Sequence, residues 1–357
     1  MPTWGQLLQE VNALAAEGQA KALREGLPPA GAPNPFDILR RKYLKALSDK
    51  TGRAVIVYST AWLENKPNLD AQILSISLGD MAGFMEAVSN VTERELDLFL
   101  HSPGGSAEAA ESLIEYLRTR FDHIRVVVPI AAMSAATMLA LGADEIMMGA
   151  HSQLGPIDPQ FTLFTPEGPR SAPAQAILDQ FEMAKEQCKD PANLAAWLPI
   201  LRAYLPGLLA QCDSQRQLAE DFVAKNLERY MLKGDADRAK AAAHWFAEFT
   251  EFKSHGRRVS REKCRELGLN VTDLEAQQDL QDAMLSVHHA YALTLANTTT
   301  AKIIENHRGR AWVQSLATIQ VLTAPSQQQQ AVRTPVPSVP NLGGQQRPNR
   351  KARRPGR

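Results

Sequence analysis

The sequence predicts an α/β protein with a largely parallel central sheet. Between residues 53 and 149, short β-branched runs alternate with amphipathic stretches long enough for helices. This alternation is the pattern of repeated βαβ units. After residue 160 the strand-like runs fade and helical periodicity dominates. We therefore expect a parallel α/β core followed by a helical C-terminal half.

The N-terminal segment predicts a helix and a linker that precede the sheet. Apolar residues recur at helical spacing from Leu7 to Leu14, and the stretch LPPAGAPNP that follows contains Pro and Gly, which stop helices. We assign residues 1–33 to this helix and linker and residues 34–190 to the α/β core. A second helix is expected at 36–49.

Five apolar or β-branched runs between residues 53 and 149 are expected to be strands. They are 54–59, 73–78, 96–101, 124–130 and 144–149. Helices are expected between them at 79–90, 108–121 and 134–143. In parallel sheets of this kind, ligands bind at the carboxyl ends of the strands. The turn SPGGS after the third strand and the turn AAMSA after the fourth lie at such ends.

The C-terminal half is expected to be mostly helical. Helices are predicted at 173–189, 192–233, 235–250 and 276–306. A shorter helix is predicted between Ser260, placed as an N-cap, and Gly268, placed as a C-terminal stop. We assign residues 191–323 to this helical extension.

The last segment, residues 324–357, is expected to be a disordered basic tail. It has seven basic and no acidic residues, together with QQQQ and TPVPSVP, and such a composition buries too little apolar surface to offset its ordering entropy. The remaining chain has 32 basic and 39 acidic residues (39 − 7 = 32), although the whole chain is neutral. The tail could bind nucleic acid, anionic lipid or an acidic partner, or act as a solubilising segment that contacts the acidic body.

The bulk composition is that of a soluble globular protein, with 44% hydrophobic and 22% charged residues. Cys188, Cys212 and Cys264 are widely spaced and odd in number, which argues against a disulfide framework or a zinc cluster. The first residues lack the features of a signal peptide, and no run of eighteen apolar residues predicts a transmembrane segment. These features predict a cytoplasmic protein without a membrane anchor.

Two turns carry the residue types that acyl-transfer chemistry needs. Gly104 and Gly105 allow close approach of main-chain amides to a ligand, and they precede a helix whose N-terminus favours negative charge. Ser134 lies among small residues at the start of the next helix, where the Ala135 amide would be a second donor. Alone, SPGGS would be a plain turn and Ser134 an N-cap. The phosphate-binding spacings GxxxxGK and GxGxxG are absent.

Together, LFLHSPGGS and AAMSAATMLALGADEIMMGAHSQLGPIDPQ closely resemble the serine dehydrogenase proteinases, soluble relatives of signal-peptide peptidase and the Clp proteases. The resemblance covers roughly residues 34–320 and is specific between 95 and 160. It implies a Clp/crotonase-like spiral of βαβ units, a nucleophile at Ser134 and an oxyanion hole from the Gly104–Gly105 turn with Ala135. It also implies a homo-oligomer that acts on a peptide or protein substrate, with any unfolding chaperone on a separate chain.

The resemblance leaves two choices for the general base. In Clp proteases a histidine follows the serine by about two dozen residues, but here that position falls near Ile157, and His151 comes too early. Relatives of signal-peptide peptidase use a lysine, and PAQAILDQFEMAKEQC resembles the helix that carries it, with Lys185 as the matching residue. Lys185 also falls on a predicted apolar stripe with Phe181, where burial would lower its pKa. The alternatives are a lysine extending from the edge of the stripe, with Lys189 as a substitute base.

The remaining candidate residues have supporting roles. His101, at a strand end, is expected to line the cleft, and Asp158 either fixes a turn or orients the base. His255 is expected in a turn or in a contact near the small helix that follows, and His288 with its neighbour lies in a helix without a partner at metal spacing. We expect no metal site and no cofactor.

Three functions are consistent with these residues. The favoured one is a serine endopeptidase with a Ser134–Lys185 dyad. The second is a crotonase-like enzyme acting on a coenzyme A thioester, which would need Glu108 and Glu111 as catalytic carboxylates. The third is a catalytically degenerate scaffold of the same fold.

Overall fold

The computed structural model describes residues 3–25, 33–67, 69–165, 168–248 and 252–316. The described strands, β1 to β11 in chain order, are Ala54–Thr60, Glu95–His101, His123–Val128, Ala131–Ala132, Glu145–Met148, Gln153–Leu154, Gln160–Thr165, Gly168–Pro173, Val271–Asp273, Thr300–Asn306 and Ala311–Ser315. The described helices, α1 to α12, are Trp4–Arg24, Pro35–Thr51, Ala71–Leu74, Asp80–Val88, Ala107–Arg118, Ala135–Leu141, Ala174–Gln187, Leu194–Leu201, Leu208–Asn226, Ala236–Ala247, Arg261–Glu266 and Gln278–Asn297. A π-helical turn, Leu227–Met231, follows α9 directly. The predicted disordered tail lies outside the described residues.

The main sheet has seven strands in the order β11-β10-β1-β2-β3-β5-β9. The strands from β1 to β9 in this order run parallel to one another. β10 is antiparallel to β1, and β11 is antiparallel to β10. All residues of β1 and β10 are buried, as in a sheet that is covered on both faces. The predicted α/β fold with a largely parallel central sheet is confirmed.

Helices cover both faces of the sheet and form two apolar cores. The core on one face combines side chains of the sheet with those of α4, α5, α6, α9 and α10; its largest members include Phe84, Leu113, Phe222 and Phe246. The core on the other face is formed with α2 and α12 and includes Leu44, Val287 and Tyr291. Helix α1 packs against helices α2 and α12 through Leu7 and Val11. The N-terminal helix is therefore part of the folded body of the protein. No helix in the described ranges combines the length and apolar character needed to cross a membrane.

Two predicted elements are wrong, and in both cases tertiary contacts explain the difference. The predicted strand 73–78 is the short helix α3 followed by a single β-bridge from Ile76 to Gly105. The predicted helix 276–306 ends at Asn297, and residues 300–306 form β10, which pairs with β1. The run TAKIIEN contains the β-branched residues that suit a buried strand. The C-terminal half therefore completes the sheet.

Two further features of the C-terminal half were not predicted. Residues 160–173 form a two-stranded antiparallel hairpin, β7–β8, ahead of α7. The predicted helix 192–233 is interrupted between α8 and α9, where Gly207, the residue before α9, adopts a φ of +81° that is incompatible with a continuous helix. The shorter helices 235–250 and 260–268 correspond to α10 and α11.

A buried ion pair connects β10 with the first residue of α4. The Lys302 ammonium group donates to Asp80 Oδ1 at 2.8 Å and to the carbonyl of Ser75 at 2.8 Å, and both charged side chains are 1% exposed. Tyr58 donates its hydroxyl to the other carboxylate oxygen of Asp80 at 2.9 Å. Burial lowers the pKa of Lys302. Both partners are therefore needed, since either charge alone would be buried without compensation.

Replacement of Lys302 by Met is expected to lower the free energy of unfolding by about 3–5 kcal/mol, because it leaves the Asp80 carboxylate buried without its cation. Urea unfolding at neutral pH measures the change. The matched control is Lys45→Met, which removes an ion pair to Asp49 whose side chains are 69% and 63% exposed and should cost less than about 1 kcal/mol. Equal losses in the two variants would contradict the prediction.

Candidate functional site

The two turns identified in the sequence lie side by side at the carboxyl ends of β2 and β3. The Ser102 amide donates to the carbonyl of Ala131 at 3.2 Å, and the Met133 amide donates to the carbonyl of Ser102 at 3.0 Å. Parallel pairing of β2 with β3 brings both strand ends to the same edge of the sheet. The SPGGS turn and the serine turn are therefore one structural unit.

Ser134 has an unusual main-chain conformation, with φ +51° and ψ −120°. It lies at the N-cap position of α6, but its side chain makes no capping hydrogen bond. The interpretation that this serine serves to cap the helix is therefore wrong. Non-glycine residues occupy such regions only where the surroundings impose them, and they concentrate at functional sites. The hydroxyl group is partly exposed and is not used to stabilise the helix.

Gly104 and Gly105 are required because other main-chain groups lie against them. A Cβ on Gly104, whose φ is +101°, would lie 2.7 Å from the Ser134 Cβ and 2.9 Å from the Ala135 nitrogen. A Cβ on Gly105 would overlap the main chain of Ile76. The Ile76 amide donates to the Gly104 carbonyl at 2.7 Å, and the Ser106 amide donates to the Ile76 carbonyl at 2.9 Å. The turn thus packs tightly between Ile76 and Ser134.

The amides of this unit differ in their partners. The Gly104 amide donates to Ser102 Oγ at 3.1 Å. Among the described residues, neither the Gly105 amide nor the Ala135 amide has a hydrogen-bond acceptor. Main-chain donors of this kind, next to a serine hydroxyl that makes no capping hydrogen bond, are suited to bind a developing negative charge.

A cavity of about 370 Å³ opens next to these groups, and we call it the Ser134 cavity. Its lining includes Ser134, both glycines of the turn and the imidazole of His255. The other lining residues are Ser75, Pro103, Ser106, Ala107, Glu108, Met138, Ile157, Pro159, Gln160, Gln215 and Ala219. The cavity therefore has both polar and apolar side chains in its lining.

His255 is the histidine that the fold brings to the cavity. Its Nδ1 lies 2.7 Å from Asp158 Oδ1, and the Asp158 side chain is 2% exposed. Gln160 Nε2 donates to Asp158 Oδ2 at 2.7 Å, so both carboxylate oxygens have partners. The sequence predicts for His255 only a turn or a contact near the following helix. No spacing pattern connects His255 to Ser134, because a distant loop brings it to the site.

Lys185 is not among the residues that line the cavity. Its side chain is 57% exposed and forms an ion pair with Glu182 at 2.7 Å, so the predicted burial of this lysine is wrong. Helix α7 buries Ala174, Ile177 and Ala184 against α9 and β8. The apolar stripe is therefore rotated away from Lys185. Lys189 is also exposed, at 72%, and pairs with Glu186.

Two other predicted residues lie away from the cavity. His101 is 5% exposed and packs on the opposite face of the sheet, where its ring contacts those of Trp62 and His288 at centroid distances of 5.7 and 5.5 Å. The expectation that His101 lines the cleft is therefore wrong. His151 is exposed and does not line the cavity. Within the described ranges, no group of three or more His, Cys, Asp and Glu side chains is placed to hold a metal ion.

Comparison with known proteins confirms the resemblance seen in the sequence. Residues 38–201 match the family model described as ClpP-like SDH-type serine proteinase. Two uncharacterized proteins of Methanocaldococcus jannaschii are similar: one is 43% identical over 19% of this chain and 24% of its own length, the other 32% identical over 32% and 37%. The chain thus matches less than two-fifths of the length of these relatives. The matched residues include Ser134 and the Gly104–Gly105 turn.

Solved structures of a protease are also similar to the chain. One is a variant of the 1510-N membrane-bound stomatin-specific protease, with 14% identity, a TM-score of 0.35, and coverage of 58% of this chain and 79% of that one. Another is a variant of the same protease in complex with a substrate peptide, with 15% identity, a TM-score of 0.26 and coverage of 59% and 93%.

Protonation of His101 is expected to destabilise the protein in acid. Burial lowers its pKa from 6.5 to about 4, so between these values the unfolded chain binds the proton and the folded protein does not. The free energy of unfolding should therefore fall as the pH drops from 6.5 to about 4, by up to about 3 kcal/mol from this residue.

The variant His101→Phe should show a flatter pH dependence of urea unfolding between pH 6.5 and 4, because it has no titrating group at this place. Burial also lowers the pKa of His288, so part of the slope should remain. His244→Gln, at a side chain that is 56% exposed, serves as the control and should retain the full slope. An unchanged slope in His101→Phe would overturn the assignment.

Proposed function

We propose that this protein is a serine peptidase that cleaves peptide bonds through an acyl-enzyme on Ser134. The observation that carries this proposal is the geometry of Ser134, whose φ is +51° and whose hydroxyl makes no capping hydrogen bond. It lies at the edge of a cavity, beside two main-chain amides that have no acceptor among the described residues. Strained nucleophiles at strand-to-helix turns are a recurring solution for exposing a serine oxygen.

The Gly105 and Ala135 amides are assigned to the oxyanion hole. When Ser134 Oγ bonds to the scissile carbonyl carbon, the carbonyl oxygen becomes negative and needs donors that are already in position. Of the predicted set Gly104, Gly105 and Ala135, the Gly104 amide donates to Ser102. We therefore assign Gly104 the role of close packing against Ser134, and the other two amides that of donors.

We assign His255 as the general base, with Asp158 as the residue that orients it. The Asp158 carboxylate engages Nδ1 of the imidazole, which leaves Nε2 for the Ser134 proton. His255 and Ser134 line the same cavity, and the near-complete burial of Asp158 gives the carboxylate a fixed position. This arrangement supplies a nucleophile, a base and an orienting group.

In the acylation step, Ser134 Oγ bonds to the carbonyl carbon while His255 accepts the hydroxyl proton. The C–N bond then breaks, and His255 returns the proton to the departing amine. In the second step, a water molecule gives a proton to His255 and its oxygen bonds to the acyl carbon. Cleavage of the ester and return of the proton regenerate Ser134.

The alternative base is Lys185, which the family resemblance predicts. For this dyad to operate, the Lys185 side chain must leave its ion pair with Glu182 and enter the Ser134 cavity. The predicted homo-oligomer, the separate chaperone and the cytoplasmic location also stay predictions.

Two variants, His255→Ala and Lys185→Ala, separate the two candidates for the base, and Ser134→Ala tests the nucleophile. Ser134→Ala should abolish hydrolysis of a casein-derived peptide panel and labelling by a fluorophosphonate probe. His255→Ala should lower kcat/KM by at least about 10³-fold, while Lys185→Ala should stay within about twofold because its side chain lies outside the cavity. Lys189→Ala is the matched control for an exposed lysine on the same segment. Loss of activity in Lys185→Ala with retention in His255→Ala would establish the dyad instead.

Replacement of Gly104 by Ala is expected to disable the site by contact with Ser134 rather than by backbone strain alone. The matched control is Gly234→Ala, because Gly234 has a similar φ of +97° and open space at its Cβ position. Gly104→Ala should lower fluorophosphonate labelling by at least about 100-fold, and Gly234→Ala should label at the rate of the unmodified protein. Similar labelling of both variants would show that the close approach of Gly104 is not needed.

A further inference from the structure

The Ser134 cavity continues into a second cavity of about 350 Å³. Four residues line both, Glu108, Pro159, Gln160 and Gln215, and the second cavity adds Phe161 and Gln211. A substrate chain bound at Ser134 therefore has a continuous path past these side chains. We call the two cavities together the cleft.

The fixed charge in the lining of the cleft is negative. Among the described residues that line it, Glu108 is the carboxylate, His255 is the imidazole, and no lysine or arginine is present. The other polar side chains are glutamines and serines, which carry no charge. The cleft thus offers a carboxylate as its fixed charge.

Glu108 is held in position at the edge of the cleft. Its carboxylate accepts a hydrogen bond from Ser106 Oγ at 2.8 Å and another from Gln215 Nε2 at 3.1 Å. A hydrogen bond from its own main-chain amide and the one from Ser106 lower the pKa of Glu108, so the group is ionised near neutral pH. A carboxylate has about four acceptor positions, so acceptor capacity remains for a ligand.

We propose that Glu108 is a specificity residue that selects substrates with a lysine or arginine side chain near the scissile bond. The proposal rests on the proposed peptidase function. A cationic side chain in the cleft gains a charge-assisted hydrogen bond to Glu108, and the guanidinium group of arginine can bind through two donors at once. The neighbouring glutamine amides can donate to and accept from the substrate main chain.

The position of Glu108 limits which substrate residue it can reach. Gly105 and Glu108 are three residues apart, so their Cα atoms lie at most about 11 Å apart. An extended substrate advances about 3.3 Å per residue. The selected residue is therefore within about three positions of the carbonyl that the Gly105 amide faces.

A second interpretation is that Glu108 only stabilises the start of α5, since acidic residues are favourable in the first turn of a helix. This role would affect the stability of the protein and not its preference among substrates. The test therefore compares ratios of kcat/KM, which a purely structural role would leave unchanged.

The experiment uses the full-length protein and internally quenched peptides of one sequence that contains no other charge. A single arginine, or the neutral isostere citrulline, is placed in turn at each of six positions around the cleaved bond. At one position or more, kcat/KM should be about tenfold higher for arginine than for citrulline. In Glu108→Gln this ratio should fall to about one, and in Glu108→Lys it should fall below one. The control Glu115→Gln, on the same helix and outside the cleft, should keep the ratio of the unmodified protein.

The outcomes distinguish this proposal from the peptidase function. Cleavage that is lost in Ser134→Ala establishes the peptidase, whatever the ratio. Equal cleavage of arginine and citrulline peptides at every position, or an unchanged ratio in Glu108→Gln and Glu108→Lys, overturns the role of Glu108 alone. A protein that labels with a fluorophosphonate but cleaves no peptide overturns both.

Discussion

The buried ion pair between Lys302 and Asp80 joins the C-terminal part of the main sheet to the turn beside Ser134. Lys302 and Asp80 anchor the segment from Ser75 to Ser77, because the ammonium group donates to the Ser75 carbonyl and the carboxylate accepts from the Ser77 amide. Ile76, which lies between these two serines, pairs with the main chain around Gly105. The geometry of the glycine turn therefore depends on a strand that lies about 200 residues later in the sequence.

This connection explains how the site can hold a strained serine. The main-chain conformation of Ser134 costs on the order of 1–3 kcal/mol and persists only where the surroundings fix it. On one side, Gly104 lies against the Ser134 Cβ, and on the other, α6 is buried along its whole length. In this rigid frame the hydroxyl group makes no capping hydrogen bond, and the Ala135 amide has no acceptor in the part of the chain that the structure describes. The strain and the available donors therefore have one structural origin.

Local patterns in the sequence predict the parts of the site that are close together along the chain. The strand runs before SPGGS and AAMSA, and the small residues around Ser134, indicate the parallel core and the serine turn. The proposed general base could not be predicted in this way, because His255 reaches the cavity through a loop whose position depends on tertiary packing. The predicted apolar stripe with Phe181 and Lys185 is not the buried face of α7. The helix instead buries Ala174, Ile177 and Ala184. The composition and period of residues 276–306 predict a helix throughout, and only pairing with β1 makes 300–306 a strand.

The short segment SPGGSAE contains the groups for two proposed functions, oxyanion binding and substrate selection. Gly105 presents an unpaired amide, Ser106 caps α5 through the Ala109 amide, and Glu108 places a carboxylate at the cleft. Because the capped helix fixes the spacing between Gly105 and Glu108, a substrate that places its carbonyl at the amide has its neighbouring residues at the carboxylate. Binding energy from a cationic side chain can therefore position the reacting carbonyl. A one-residue insertion between Gly105 and Ser106 would keep both groups but change their spacing, so it should weaken arginine selection and the rate of acylation together.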